Sequence, residues 1–134
     1  MRHTAFAFAL ALLLGACGGS PPVHYHALPT PDGEAGRPAA LGAPVVVGPV
    51  RVPAFLSRPY IAWRAGDSRL DYDELHRWGS SLEAEVLRAL VEHLAHRLPG
   101  RGVLAWPTQV PAERALRVAV DIDRLDVVRG GTSR

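Results

Sequence analysis

The chain has 134 residues, enough for one domain with a modest core and too few for two. Its 15 basic and 13 acidic side chains leave a formal charge of +2, which is not the basic excess of a nucleic-acid binder. The single cysteine, Cys17, excludes an internal disulfide, so an exported domain of this sequence has only packing to hold it together.

Taken in order, the chain opens with Arg2 and His3 and then runs without charge from Ala5 to Leu14. A spanning helix needs roughly 20 apolar residues, whereas this run has the length of a signal-peptide core, which is removed and adds nothing to the fold. The stretch that follows, Leu14-Gly15-Ala16-Cys17, resembles the lipobox of bacterial lipoproteins: an aliphatic residue, two small residues and a cysteine. The resemblance implies a signal peptide over residues 1–16, a diacylglycerol thioether on Cys17 and an N-acyl chain on its amine. Cys17 then attaches the chain to a membrane, and no thiol is left for a metal or a nucleophile. Gly18 and Gly19 follow Cys17 where an inner-membrane retention signal would place Asp, which implies outer-membrane sorting.

Residues 17–44 read as an acylated, mostly flexible tether, because a Pro/Gly/Ala-rich composition cannot bury enough surface to offset its ordering entropy. The exception is His24 to Leu28, where Tyr25 and Leu28 can add a short strand or patch to the domain. His24-x-His26 has a spacing that suits a metal, but with no third ligand near it in sequence a solvated strand edge is the simpler reading.

Residues 45–134 read as the folded domain. Val45 to Pro53 is a strand whose β-branched run suits a buried, central position, with a bulge or an edge at Gly48-Pro49. Ala54 to Pro59 is a connection with an apolar anchor. Tyr60–Arg64 and Arg69–Tyr72 read as a hairpin around a turn at Gly66-Asp67-Ser68. Apolar residues at Leu75, Trp78, Leu82, Val86, Leu90, Leu94 and Leu98 trace one helical face, widened by Leu87 and Val91. This predicts a short helical turn at 73–78 and then a main helix capped by Ser80 or Ser81 and stopped by Pro99-Gly100. If Ser80 caps, Glu83 completes a capping box. Arg88, near Glu85 and Glu92, then marks a solvated opposite face. Val103–Trp106 is a fourth strand. Leu116–Val128 is a fifth and longest, with Leu116, Val118, Val120 and Ile122 facing inward and a bulge near Asp123–Arg124. The fold class is therefore α/β in the α+β sense, with a mixed sheet of about five strands packed on one long amphipathic helix.

Chemistry is sparse. No phosphate loop, nucleophile triad, cofactor motif or metal pattern stands out. His93-x-x-His96 lies on the flank of the helix and reads as solvated. Asp121, Asp123 and Asp126 suggest paired carboxylates, but alternation puts Asp121 and Asp123 on the wet strand face. Trp63, Trp78 and Trp106 read as core. These residues argue against an enzyme, and no cofactor or metal is assigned.

Three motifs occur in order after the lipobox: Val47-Gly48-Pro49-Val50-Arg51-Val52-Pro53, Phe55-Leu56-Ser57-Arg58-Pro59-Tyr60-Ile61, and Glu74-Leu75-His76-Arg77-Trp78 followed by Leu82. The set, over about Cys17 to Asp126, resembles the PqiC-like ABC-type transport auxiliary lipoproteins. The resemblance implies a lipid-anchored outer-membrane protein facing the periplasm. It implies a non-catalytic role with an MCE-domain protein and inner-membrane ABC or permease components that move lipid between membranes, and it implies no nucleic acid. Gly48, Pro49, Arg58, Pro59, Arg77 and Trp78 occupy the family's motif positions, as structural residues first and interface residues second. Docking on a tubular assembly would suit a ring-shaped homo-oligomer. Family members continue beyond the last strand into at least one more, so the domain is expected to lack C-terminal pairing, as a truncated or frameshifted product or one completed by a partner. The alternative is a generic envelope-assembly lipoprotein that binds another outer-membrane protein or the cell wall.

Overall fold

The computed structural model describes residues 19–33, 36, 42–66 and 68–125. The lipobox, Cys17 and Asp126 lie outside them. Six strands and one long helix form two three-stranded sheets, an α+β fold as the sequence predicts. The strands are β1 (His24–His26), β2 (Val45–Arg51), β3 (Tyr60–Arg64), β4 (Leu70–Trp78), β5 (Val103–Ala105) and β6 (Leu116–Asp121). The helix α1 spans Leu82–Arg97.

The first sheet is wholly parallel in the order β5-β2-β6. β2 sits at its centre because Val45, Val46 and Val47 are β-branched and can be buried on both faces; all three are buried. The break expected at Gly48-Pro49 is a bulge, since β2 and β6 slip register between Val47 and Val50. Gly48 has φ +108°, and a Cβ there would stand 3.1 Å from Cβ of Trp106, so only glycine suits the site.

The second sheet has the order β1-β4-β3, with β3 and β4 antiparallel and β1 parallel to the end of β4. The expected hairpin forms around Gly66 (φ +88°), closed by the Ala65 N–H donating to the Arg69 carbonyl at 2.8 Å. The helical turn expected at 73–78 does not form. Those residues extend β4 through Trp78, and the 3–4 spacing of Leu75, Trp78 and Leu82 is coincidental. The extension carries a wide bulge: Ile61 pairs with Asp73 and Tyr60 with Arg77, so Glu74, Leu75 and His76 loop out of register. Oδ1 of Asp73 accepts from the Leu75 N–H at 2.9 Å and pins the start of that excursion.

The second sheet, the N-terminal end of α1 and the 3₁₀ turn Ala54–Leu56 enclose a core of Leu56, Ala62 and Leu82, with Val52, Phe55, Tyr72, Trp78 and Val86 against it. Ser81 rather than Ser80 caps α1, its hydroxyl accepting from the Ala84 N–H at 3.2 Å. The capping box therefore does not form, and Glu83 accepts instead from the Ser57 hydroxyl at 2.9 Å. Glu83 and Glu85 in the first turn and His96 and Arg97 in the last complement the helix dipole.

The last strand is shorter than predicted. β6 ends at Asp121, β4 is longer, and no bulge forms at Asp123–Arg124, which lie beyond the strand. Its inward face is not buried either: Leu116 is 52% and Val118 40% exposed. Register puts both on the face that holds Ala105, the side against α1, but α1 lies over β2 and β5.

Candidate functional site

Strand register sorts the side chains of the second sheet into two opposed faces. Tyr25, Arg77 and Tyr60 are paired across β1, β4 and β3, so the three share the outer face. The Arg77 guanidinium lies 5.0 Å from the centre of the Tyr60 ring, a cation–π contact, and Tyr25 is 68% exposed. Nε of Arg77 also donates to the Glu74 carbonyl at 3.2 Å, so this side chain braces the β4 bulge as well. Arg58 caps Tyr72 in the same manner at 4.9 Å, and the Tyr72 hydroxyl donates to the Phe55 carbonyl. Two arginines of the sequence motifs thus each cover a tyrosine.

The remaining motif residues are placed as follows. The Pro59 carbonyl accepts from the Trp78 N–H at 2.8 Å, locking β3 to the end of β4, and the Trp78 ring packs on the core. Gly48 and Pro49 form the bulge of β2. Trp63 is half-buried, whereas Trp106, read as core, is 43% exposed at the lip of a groove that runs between β5 and α1. That groove is a shallow trough in two parts of about 250 and 320 Å³, both lined by Ala84 and Leu87, with Trp106 and Val50 at one end and Val91 and Ala105 at the other.

The face of α1 read as solvated carries the best-connected polar group of the fold. Glu85 is buried, and one of its oxygens accepts from the Leu28 N–H at 3.1 Å and from Arg88 at 2.9 Å. The other accepts from the Ser80 hydroxyl at 2.8 Å. Arg88 donates onward to the Leu28 carbonyl at 2.6 Å and to Glu92 at 2.9 Å. The Arg88 hydrogen bond holds the Glu85 carboxyl below its ordinary pKa; the Ser80 hydroxyl and the Leu28 N–H act in the same direction, and burial opposes them. The chain that continues from β1 therefore crosses α1 with both polar atoms of Leu28 satisfied. The Glu85/Arg88/Glu92 trio was visible as i, i+3 and i, i+4 spacing. Its partner at Leu28 was not, because nothing local in sequence marks a contact of that range.

The short strand expected within His24–Leu28 is present as β1, over His24–His26 alone. Parallel pairing sets His24 opposite His76 and His26 opposite Trp78. Nε2 of His26 and Nδ1 of His76 are 2.8 Å apart, and the His24 and His26 rings both stack on His76, with centroids 5.1 and 5.0 Å away. His93 and His96 do not join them; Nε2 of His93 lies 3.3 Å from the Pro29 carbonyl. Asp121 and Asp123 are exposed, and Asp121 pairs with Arg51 at 3.2 Å. Among the described residues, no group of three His, Cys, Asp or Glu side chains is placed to hold a metal ion, and no helix is long and apolar enough to cross a membrane.

Comparison with known proteins gives a family and a likeness of fold. A family model described as "ABC-type transport auxiliary lipoprotein component" matches residues 26–134. Comparison with curated proteins finds no match. Among solved structures, the crystal structure of an uncharacterized protein aligns with a TM-score of 0.54 at 21% identity, over 75% of this chain and 59% of that one. The chain thus spans about three-fifths of the length of the solved protein it matches, a likeness of fold.

Proposed function

The chain belongs to the ABC-type transport auxiliary lipoprotein components, and on that premise we propose that it is a non-catalytic accessory subunit of an MCE/ABC-type intermembrane lipid transport system, anchored in the outer membrane and facing the periplasm. In this reading residues 1–16 are a signal peptide, Cys17 carries the acyl chains and residues 17–44 are a tether that contributes β1 to the second sheet. The domain from residue 45 docks the periplasmic part of the transporter. The observation that carries the reading is the family match over residues 26–134 behind a Leu14-Gly15-Ala16-Cys17 stretch. Stable anchoring takes more than one acyl chain, each buried CH₂ contributing about 0.8 kcal/mol, and a triacylated cysteine meets that need.

Two surfaces support docking. The strip Tyr25–Arg77–Tyr60 has the aromatic and arginine composition of binding hot spots, and Leu104, Trp106, Leu116 and Val118 leave apolar area uncovered around the first sheet. Arg58, Arg77 and Trp78 serve the sheet first and an interface second.

Detergent extraction of the native envelope with the tagged full chain tests the proposal. An MCE-domain protein is expected to co-purify, with reading frames for such a protein and a permease or ATPase beside this one. Cys17→Ser is expected to abolish labelling by radioactive palmitate and release the protein from the membrane fraction. Recovery of only other outer-membrane proteins or cell-wall fragments, with no lipid-transport defect on deletion, would overturn the reading in favour of general envelope assembly.

A further inference from the structure

We propose that residues 24–36 act as a strap within the tether. The strap fixes the anchored end of the chain to the domain at β1, so that only residues 18–23 separate the membrane from the second sheet. It rests on the lipoprotein reading in one respect, that Cys17 is the anchor.

By composition this stretch is a mobile coil, because it has too few large apolar residues to offset its ordering entropy. Hydrogen bonds fasten it instead. β1 pairs with β4 over His24–His26, and the His26 carbonyl accepts from the Gly79 N–H at 2.8 Å. Leu28 is held by both its backbone polar atoms, the N–H donating to Glu85 at 3.1 Å and the carbonyl accepting from Arg88 at 2.6 Å. The Pro29 carbonyl lies 3.3 Å from Nε2 of His93, and the Gly36 N–H donates to the His96 carbonyl at 2.8 Å. His93 and His96 follow Glu85 by about two and three helical turns, so the partners advance along α1 as the strap does.

The bond at Gly36 uses a group that the helix has to spare. Carbonyls in the last turn of a helix have no partner within it, and the Gly36 N–H takes one of them. A Cβ at Gly36 would stand 2.8 Å from the Arg97 carbonyl oxygen, so the strap passes the end of α1 at a distance that only glycine allows.

The consequence is one of reach. An extended chain spans about 3.4 Å per residue, so His24 stands at most about 24 Å from Cys17. A tether running unbound to Val45 would allow about 95 Å. Residues 19–23 are exposed. The second sheet is therefore the membrane-proximal end of the domain, and a partner is met at the anchoring membrane, not across a gap.

The test uses the mature chain from Cys17, coupled through that residue's thiol, its sole cysteine, to a maleimide lipid in vesicles that carry a dansyl headgroup lipid. Energy transfer from Trp63, Trp78 and Trp106 to dansyl reports how far the domain stands from the bilayer. A Gly/Ser insert of about twenty residues between Gly19 and Ser20 is expected to lower transfer by about half or more. The same insert between Ala39 and Ala40 is expected to leave transfer unchanged, because it lies behind the strap. Hydrogen exchange is expected to be slow at the Leu28 and Gly36 amides in all three proteins. Equal loss of transfer from both inserts, or exchange at Leu28 and Gly36 at the rate of an unfolded chain, would overturn the strap. Chemical coupling supplies the attachment whatever the cell places on Cys17, so loss of palmitate labelling would count against the lipoprotein reading and these outcomes against the strap alone.

Discussion

Glu85 shows how much one buried carboxylate can organise. Its two oxygens join Ser80 just ahead of the α1 cap, Arg88 one turn on in the helix and the segment after β1. Because its folded pKa lies below its unfolded one, the stabilisation is complete above the ordinary carboxylate range and is lost as pH falls through the lowered folded value. Glu85→Gln should therefore be less stable than the parent at neutral pH, and the gap should shrink on acidification. Urea midpoints measured from pH 7 to pH 3 check this. Glu85→Ala leaves the Leu28 N–H without its partner and should cost about 1–3 kcal/mol. Gly48→Ala meets both a left-handed φ and the crowding of Trp106 and Leu87, and should cost about 1–3 kcal/mol in denaturant unfolding with an unchanged m-value.

At the scale of elements, the sequence was most readable where one physical signal dominated. The triple-valine run marked β2, and the apolar stripe with Ser81 before it and Pro99-Gly100 after it bounded α1 almost to the residue. Ser81→Ala removes the cap hydrogen bond and should lower stability by about 1 kcal/mol, measured by thermal unfolding. The reading failed where two periods overlapped. Leu75, Trp78 and Leu82 match a helix, yet Trp78 reaches the core from a strand, on the face that Tyr72 six residues earlier also takes. It failed again at β6, where alternation named an inward face but could not say which strands the helix would cover. Leu116→Ser should accordingly change domain stability by no more than about 0.5 kcal/mol, a small effect for an apolar strand position. A loss of a few kcal/mol in urea titration would place Leu116 in a contact that the fold described here does not contain.

For the whole molecule, the pattern was read as one mixed sheet of about five strands, whereas six strands divide into two sheets, because pattern places strands and not their pairing. The division matters for function. The second sheet displays Tyr25, Arg77 and Tyr60 outward and the histidines on the opposite face, while the first sheet carries the exposed apolar residues. A Tyr25→Ala variant should fold with an unchanged circular dichroism spectrum yet lose recovery of transporter components, as read by quantitative pull-down. The motif residues were legible as a set, but their partners were not: that Arg58 and Arg77 each cover a tyrosine is a fact of register.

The central place of β2 also dictates an order of events during synthesis. Val45 pairs with Val103 and Leu116, so the most apolar strand has no ladder partner until nearly the whole domain has emerged. The second sheet and α1 can form while that strand waits, but the first sheet cannot begin. A nascent chain halted before Val103 presents three unpaired valines to its surroundings, a segment prone to self-association. Keeping that segment covered until Val103 and Leu116 arrive is then a demand that the finished fold does not display.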